Sequence, residues 1–143
     1  MLVNLKHRTD EPLVQELVGY SVFPDPDKLA GVMEAYRADS ALELYGIAGE
    51  DEEDIVGIIG IRINDGNRMT IEHIAVLPDC RGMDYGRGLI LEAIDLKKPS
   101  EVTAETDEEA VNFYRSIGFT IESLGEKYPG VERFLCTFEA EVE

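Results

Sequence analysis

The stretch from Met69 to Ile94 constrains the fold most. It runs from an apolar strand through a proline and a glycine-rich turn into a helix. Met69 to Leu77 carries the apolar and β-branched residues of a strand. Pro78, which cannot donate to a ladder, ends it. Cys80 to Gly88, CRGMDYGRG, holds three glycines and two arginines. From Gly86 onward, Leu89, Ile90, Ala93 and Ile94 follow helical spacing, and the pattern stops at Lys97, Lys98 and Pro99. A strand that turns straight into a helix aims the first helix amides back at the turn. Those amides carry partial positive charge, so the junction is an anion site by geometry. On spacing alone it is equally a tight turn with no ligand. Gly82, Gly86 and Gly88 fit neither the dinucleotide nor the nucleotide-triphosphate glycine pattern.

The rest of the chain builds around this junction. Leu2 to Lys6 alternates as a short strand. Pro12 opens a helix through Leu13, Leu17 and Val18. FPDPDK, residues 23–28, is a turn, and Asp27 stands where it can cap a helix carrying Leu29, Val32, Met33 and Tyr36. Leu42 to Ala48 and Ile55 to Ile63, split by an acidic turn, form a hairpin signal. The turn NDGN precedes the Met69 strand. Glu101 to Glu105 is a strand. Asp107 to Ile117 is a helix stopped by Gly118. Phe119 to Leu124 and Arg133 to Phe138 close the chain as strands. The order β α α β β β α β α β β describes one α/β domain over residues 1–143, built on a mixed central sheet. At 44% hydrophobic residues the chain can form a core unaided.

Charge narrows the partners. Thirty acidic residues oppose thirteen basic ones, a formal net charge of −17. Such a surface repels nucleic acid and anionic membrane. It serves solubility, or it draws in a cationic substrate. The longest apolar run, IVGIIGIRI, is too short to span a bilayer, and the N-terminus does not read as a secretory signal. Cys80 and Cys136 read as free thiols. The expectation is a cytoplasmic protein without a metal site.

Two segments together carry a family resemblance. VLPDCRGMDYGRGLILEAI resembles the acetyl-CoA loop of the GNAT superfamily of N-acetyltransferases, with Arg81-x-x-Asp84-x-Gly86 in place of Gln/Arg-x-x-Gly-x-Gly/Ala. DEEAVNFYRSIGF, from Asp107 to Phe119, resembles that family's Asn-x-x-Ala-x-x-Phe/Leu-Tyr-x-x-x-Gly-Phe helix. The resemblance runs from about Leu2 to Phe138. It implies a sheet of about seven strands flanked by about four helices, splayed at the acetyl-CoA site. It also implies acetyl-CoA as cosubstrate and transfer of its acetyl group to a small, cationic amine by direct attack on the thioester. A homodimer is compatible with it. A GNAT-fold sensor that binds acyl-CoA without turnover is the alternative.

Carried onto this chain, the resemblance assigns the pantetheine arm to the backbone of Ile74, Ala75 and Val76. The pyrophosphate falls to Arg81, Gly82, Met83, Asp84, Tyr85, Gly86 and Arg87, with Gly86 letting the ligand approach the backbone. Asp107 and Phe113 of the second segment complete the cofactor set. An amine of pKa ~10.4 is about 1 part in 2,500 neutral at pH 7, so a base or a chain of ordered water is wanted, as is an acid for the leaving thiolate. Tyr114 is the expected acid, against a plain core role. Glu72 is the expected base, because strict alternation puts it on one strand face with Val76; the bland reading is an exposed strand residue. His73 should then face the other way and pack. The acceptor site is expected among Tyr20, Phe23, Asp25, Asp27, Glu34, Tyr36 and the loop GEKYPGVERF. Two departures stand out: Asp84 replaces the usual glycine and Asp107 the usual asparagine. Asp84 either caps its helix or occupies the loop amides itself as a phosphate mimic.

Overall fold

The computed structural model describes residues 2–21, 26–49 and 54–139. Its elements follow the expected order: β1 (Leu2–Asn4), α1 (Pro12–Gly19), α2 (Pro26–Ala38), β2 (Leu42–Ala48), β3 (Ile55–Asn64), β4 (Arg68–Val76), α3 (Tyr85–Lys97), β5 (Glu101–Asp107), α4 (Val111–Ile117), β6 (Thr120–Tyr128) and β7 (Val131–Glu139). A short 3-10 turn, Pro78–Cys80, links β4 to α3. The strands form one sheet in the order β1-β2-β3-β4-β5-β7-β6. Only the β4–β5 pair is parallel among them, and α3 makes the crossover that parallel pairing requires.

The sheet is covered on both faces. Leu5, Val14, Leu17, Val18, Met33 and Tyr36 pack with Leu44 and Ile58 under α1 and α2. On the other face Leu89, Ile90, Ala93, Val111 and Tyr114 of α3 and α4 meet Ile59, Ile61, Met69 and Ile71. β3 is buried from Ile55 to Ile61 because helices cover it on both sides. Each fully buried Leu or Ile contributes roughly 1.5–3 kcal/mol.

Several boundaries differ from expectation, and two of the shifts have a clear physical cause. α4 starts at Val111 rather than Asp107, because β5 runs on to Asp107, which pairs with Arg133 of β7. Asp107 instead fastens the following turn, its Oδ1 accepting the Ala110 N–H at 3.1 Å. α2 starts at Pro26, so Asp27 lies within the first turn. It is not the cap, though its charge still suits the helix dipole.

One irregularity matters for function. β3 and β4 pair residue by residue except at Gly60/Ile61, where Gly60 opposes His73 and Ile61 opposes Ile71. Glu72 is thus the extra residue of a β-bulge. Before it, Met69 and Ile71 face the α3/α4 side. Beyond it, Ile74 and Val76 take that side and Ala75 joins the opposite cluster. Among the described residues no helix is long and apolar enough to cross a membrane.

Candidate functional site

The site begins where a ladder stops. β4 and β5 pair from Arg68/Glu101 to Ile71/Ala104 and no further. β4 stays with β3 to Val76, and β5 follows β7 to Asp107. The edge of β4 from Glu72 to Val76 therefore has no strand neighbour on that side, and a wedge opens. Peptide groups on such an edge have no strand partner among the described residues, although Arg81 reaches the carbonyl of Val76. An unmet buried one costs about 1–3 kcal/mol, so a ligand that meets it gains.

A cleft of about 660 Å³ continues the wedge. Ile74, Ala75, Val76, Arg81, Gly82, Asp84, Tyr85, Gly86, Arg87 and Phe113 all line it. At its far end the backbone amides from Gly82 to Arg87 take no hydrogen-bond acceptor among the described residues, whereas Gly88 N–H bonds Asp84 O at 2.9 Å. Free amides at a helix start are the physical content of an anion site. Of the expected cofactor set, Met83 is exposed and does not line the cleft, and Asp107 lines a neighbouring recess instead. Cys80, Glu109, Ala110 and Ser116 line the cleft unforeseen, together with Tyr20, which was expected at the acceptor site. The turn before α4 brings in Glu109 and Ala110, a placement that helix periodicity alone does not reveal.

Three loop residues act differently from expectation. Asp84 has φ 64° and ψ 16°, and its carboxylate makes no capping hydrogen bond. This left-handed backbone explains why glycine suits the position, and Asp tolerates it better than most residues. The carboxylate therefore neither caps α3 nor fills the amides as a phosphate mimic. At Gly86 an added Cβ would lie 3.2 Å from Phe113 Cζ. Glycine there makes room for the α4 aromatic ring, and Gly86 also lines the cleft. Arg81 turns back on the strand: its Nε–H donates to Val76 O at 3.0 Å, and its guanidinium sits 5.5 Å from the Tyr20 ring centroid.

A polar recess of about 380 Å³ adjoins the cleft and shares Tyr20, Ile74, Ala110 and Phe113 with it. Tyr114, Glu72 and His73 line it together with Glu105, Asp107 and Arg133. Tyr114 is 5% exposed and stands edge-on to Phe113 and Phe119. Burial, with a smaller push from Cys136, drives its phenol up to about 12, so it stays protonated at neutral pH. Its hydroxyl takes no hydrogen-bond partner among the described residues.

The bulge overturns the strict alternation expected of β4. Glu72 does not share a face with Val76, and His73 does not point away from Glu72. Both line the recess, and both line a smaller cavity of about 160 Å³ with Tyr36 and Arg62. Glu72 is ion-paired with Arg62 at 3.3 Å, and Arg62 reaches Asp39 at 3.2 Å. His73 Nδ1 lies 2.5 Å from Tyr36 Oη. Burial lowers the His73 pKa below its ordinary value against an upward pull from Glu72, with Lys28 adding to the lowering. The signal was present in the sequence: apolar residues at 69 and 71 resume at 74 and 76, a gap of three across Glu72-His73.

Of the expected acceptor residues, Tyr20 lines both spaces and Tyr36 is buried beside the recess. Asp27 and Glu34 are exposed on α2 and line none of these cavities. Phe23 and Asp25 lie outside the described residues. Of the expected segment 125–134 only Arg133, which lies on β7, lines the recess among the described side chains.

The acetyltransferase (GNAT) family profile matches residues 10–119. An uncharacterized N-acetyltransferase from the lysA 3′ region of Bacillus methanolicus is 28% identical over 78 residues, covering 54% of this chain and 63% of that protein. Among solved structures, a protein from Desulfovibrio desulfuricans assigned to the GNAT family superimposes with TM-score 0.80 at 19% identity, over 97% of this chain and 98% of its own. A Bacillus anthracis protein solved in complex with acetyl coenzyme A superimposes with TM-score 0.64 at 23% identity, over 76% and 68% of the two chains. These structural likenesses speak for the fold.

Proposed function

The chain belongs to the acetyltransferase (GNAT) family, and from that premise we propose that it is an acetyl-CoA-dependent N-acetyltransferase acting on a small cationic amine. One observation carries the reading. A strand edge from Glu72 to Val76 leads, through one cleft, to amides from Gly82 to Arg87; among the described residues the edge has no neighbouring strand and the amides no acceptor. An extended amide-bearing arm fits the edge by strand-like hydrogen bonding. A pyrophosphate fits the amides at the start of α3. Acetyl-CoA has both parts in that order, and it supplies the activated acetyl group.

The chain's own groups then have defined tasks. A backbone N–H of the open edge near Val76 steadies the charge that grows on the carbonyl oxygen. Tyr114, buried, protonated and without a hydrogen-bond partner among the described residues, gives a proton to the leaving sulfur. Glu72, Glu105 and Asp107 set a negative field in the recess that attracts a cationic amine. Glu72 is also placed to receive the amine's proton, though doing so sacrifices its ion pair with Arg62. Arg81 holds Val76 O through Nε–H, and its Nη groups remain donors for a pyrophosphate.

Two measurements test the proposal. Acetyl-CoA should raise the melting temperature, and thiol should be released when a panel of diamines, polyamines and aminoglycoside-type amines is added. Stabilisation without release for any amine points to a binding module. No stabilisation at millimolar acetyl-CoA removes the cofactor reading altogether.

A further inference from the structure

Gly60, Tyr36 and His73 form a buried contact beside the recess. Tyr36 is 1% exposed, and its hydroxyl occupies a slot in β3 that only glycine leaves open: a Cβ on Gly60 would lie 1.7 Å from Tyr36 Oη. The slot lies opposite the bulge, because Gly60 is the strand partner of His73. The hydroxyl meets His73 Nδ1 at 2.5 Å, with the two rings edge to face and 5.5 Å apart. The ring of His73 thus stands between the small cavity that holds Tyr36 and the recess that holds Tyr114.

We propose that His73 Nε2 is the group that takes the amine's proton, with Tyr36 as the positioning residue that fixes its tautomer; this rests on the acetyltransferase reading above. Nδ1–H donates to Tyr36 Oη, which leaves the Nε2 lone pair free. The small cavity beside Tyr36 gives the phenol's own proton access to water. Glu72 is the weaker candidate, since its carboxylate is held by Arg62.

The protons balance. His73 takes the first proton of the ammonium and later passes it to solvent. The freed nitrogen lone pair forms the C–N bond as the C–S bond breaks. Tyr114 gives its proton to the departing sulfur, and the second proton, shed by the new amide nitrogen, restores the phenol. One proton is released per turnover.

The charged and titratable groups around His73 are Glu72 on its own strand, Arg62 on β3, and Tyr36 and Lys28 on α2. Across the recess stand Tyr20, Glu105, Asp107, Tyr114 and Arg133, with Glu105 and Arg133 3.5 Å apart. Burial outweighs the pull of Glu72, so His73 is neutral at pH 7. A neutral base loses activity as pH falls through its pKa. The acid limb of kcat/KM therefore lies below about pH 6.5.

The experiment pairs kinetics with spectroscopy. His73→Gln should lower kcat/KM about 100-fold, abolish the acid limb, and leave acetyl-CoA affinity unchanged. Tyr36→Phe should lower it less and move the limb to lower pH. A retained limb in His73→Gln, or its loss in Glu72→Gln alone, overturns the proposal while leaving the acetyltransferase reading intact. Because His7 and His73 are the only histidines, nitrogen-15 NMR reads the ring independently of turnover. The Nδ1–H tautomer is expected for neutral His73, whereas an Nε2–H tautomer overturns the proposal even if no amine substrate is found.

Discussion

The two halves of β4 differ in what holds them. From Arg68 to Ile71 the strand has neighbours on both sides, and Met69 and Ile71 are buried under α3 and α4. From Glu72 to Val76 it has one neighbour, its facing has shifted by one residue, and its free edge looks into a cleft. The change occurs over a single step, at the bulge. One strand thus serves as sheet interior and as ligand track, because the extra residue comes where the parallel ladder ends. The first half should be sensitive to packing, and the second half, with the loop it feeds, to chemistry.

The contrast can be broken from either end. Met69→Ala, at a side chain with no exposure, should cost about 2–5 kcal/mol of stability. Denaturant unfolding measures this, and the folded fraction should bind acetyl-CoA normally. A small stability change with weakened binding would erase the distinction. Tyr114→Phe should do the opposite. Turnover falls about 100-fold, equivalent to roughly 2.7 kcal/mol, while melting temperature and acetyl-CoA affinity stay near wild type. Normal turnover would return Tyr114 to a packing role. The smallest effect belongs to the loop. Asp84→Gly relieves a left-handed backbone but frees the unfolded chain, so stability should move by no more than about 1 kcal/mol. Removing the carboxylate from the cleft should tighten acetyl-CoA binding up to about tenfold, measured by calorimetry. Weaker binding would mean the carboxylate assists the ligand.

Much of this was legible in the sequence because it is local. Helix α3 and its glycine turn and the β2–β3 hairpin all announce themselves within about twenty residues. The resemblance across Arg81–Gly86 and Asp107–Phe119 supplied the rest of the fold. The bulge is harder to read, because strict alternation carries through Glu72-His73 unless the skipped step in the apolar pattern is given weight. α4 began late because Thr106 and Asp107 found partners in β7, a non-local gain that outweighs helix capping. The Tyr36–Gly60–His73 contact had no sequence signal. It joins a helix to two strands, and nothing in the identity of Gly60 tells which side chain will fill its empty place.

Arg81 donates to the carbonyl of Val76, at the point where the proposed ligand would lay its arm. Occupation of the cleft then meets a side chain already engaged. A pantetheine fragment would share that carbonyl with the guanidinium without offering it another partner. The intact molecule also offers the Nη groups of the same guanidinium a pyrophosphate. The two ends of the ligand are thereby coupled through one side chain, and their separate affinities should not sum to that of the whole.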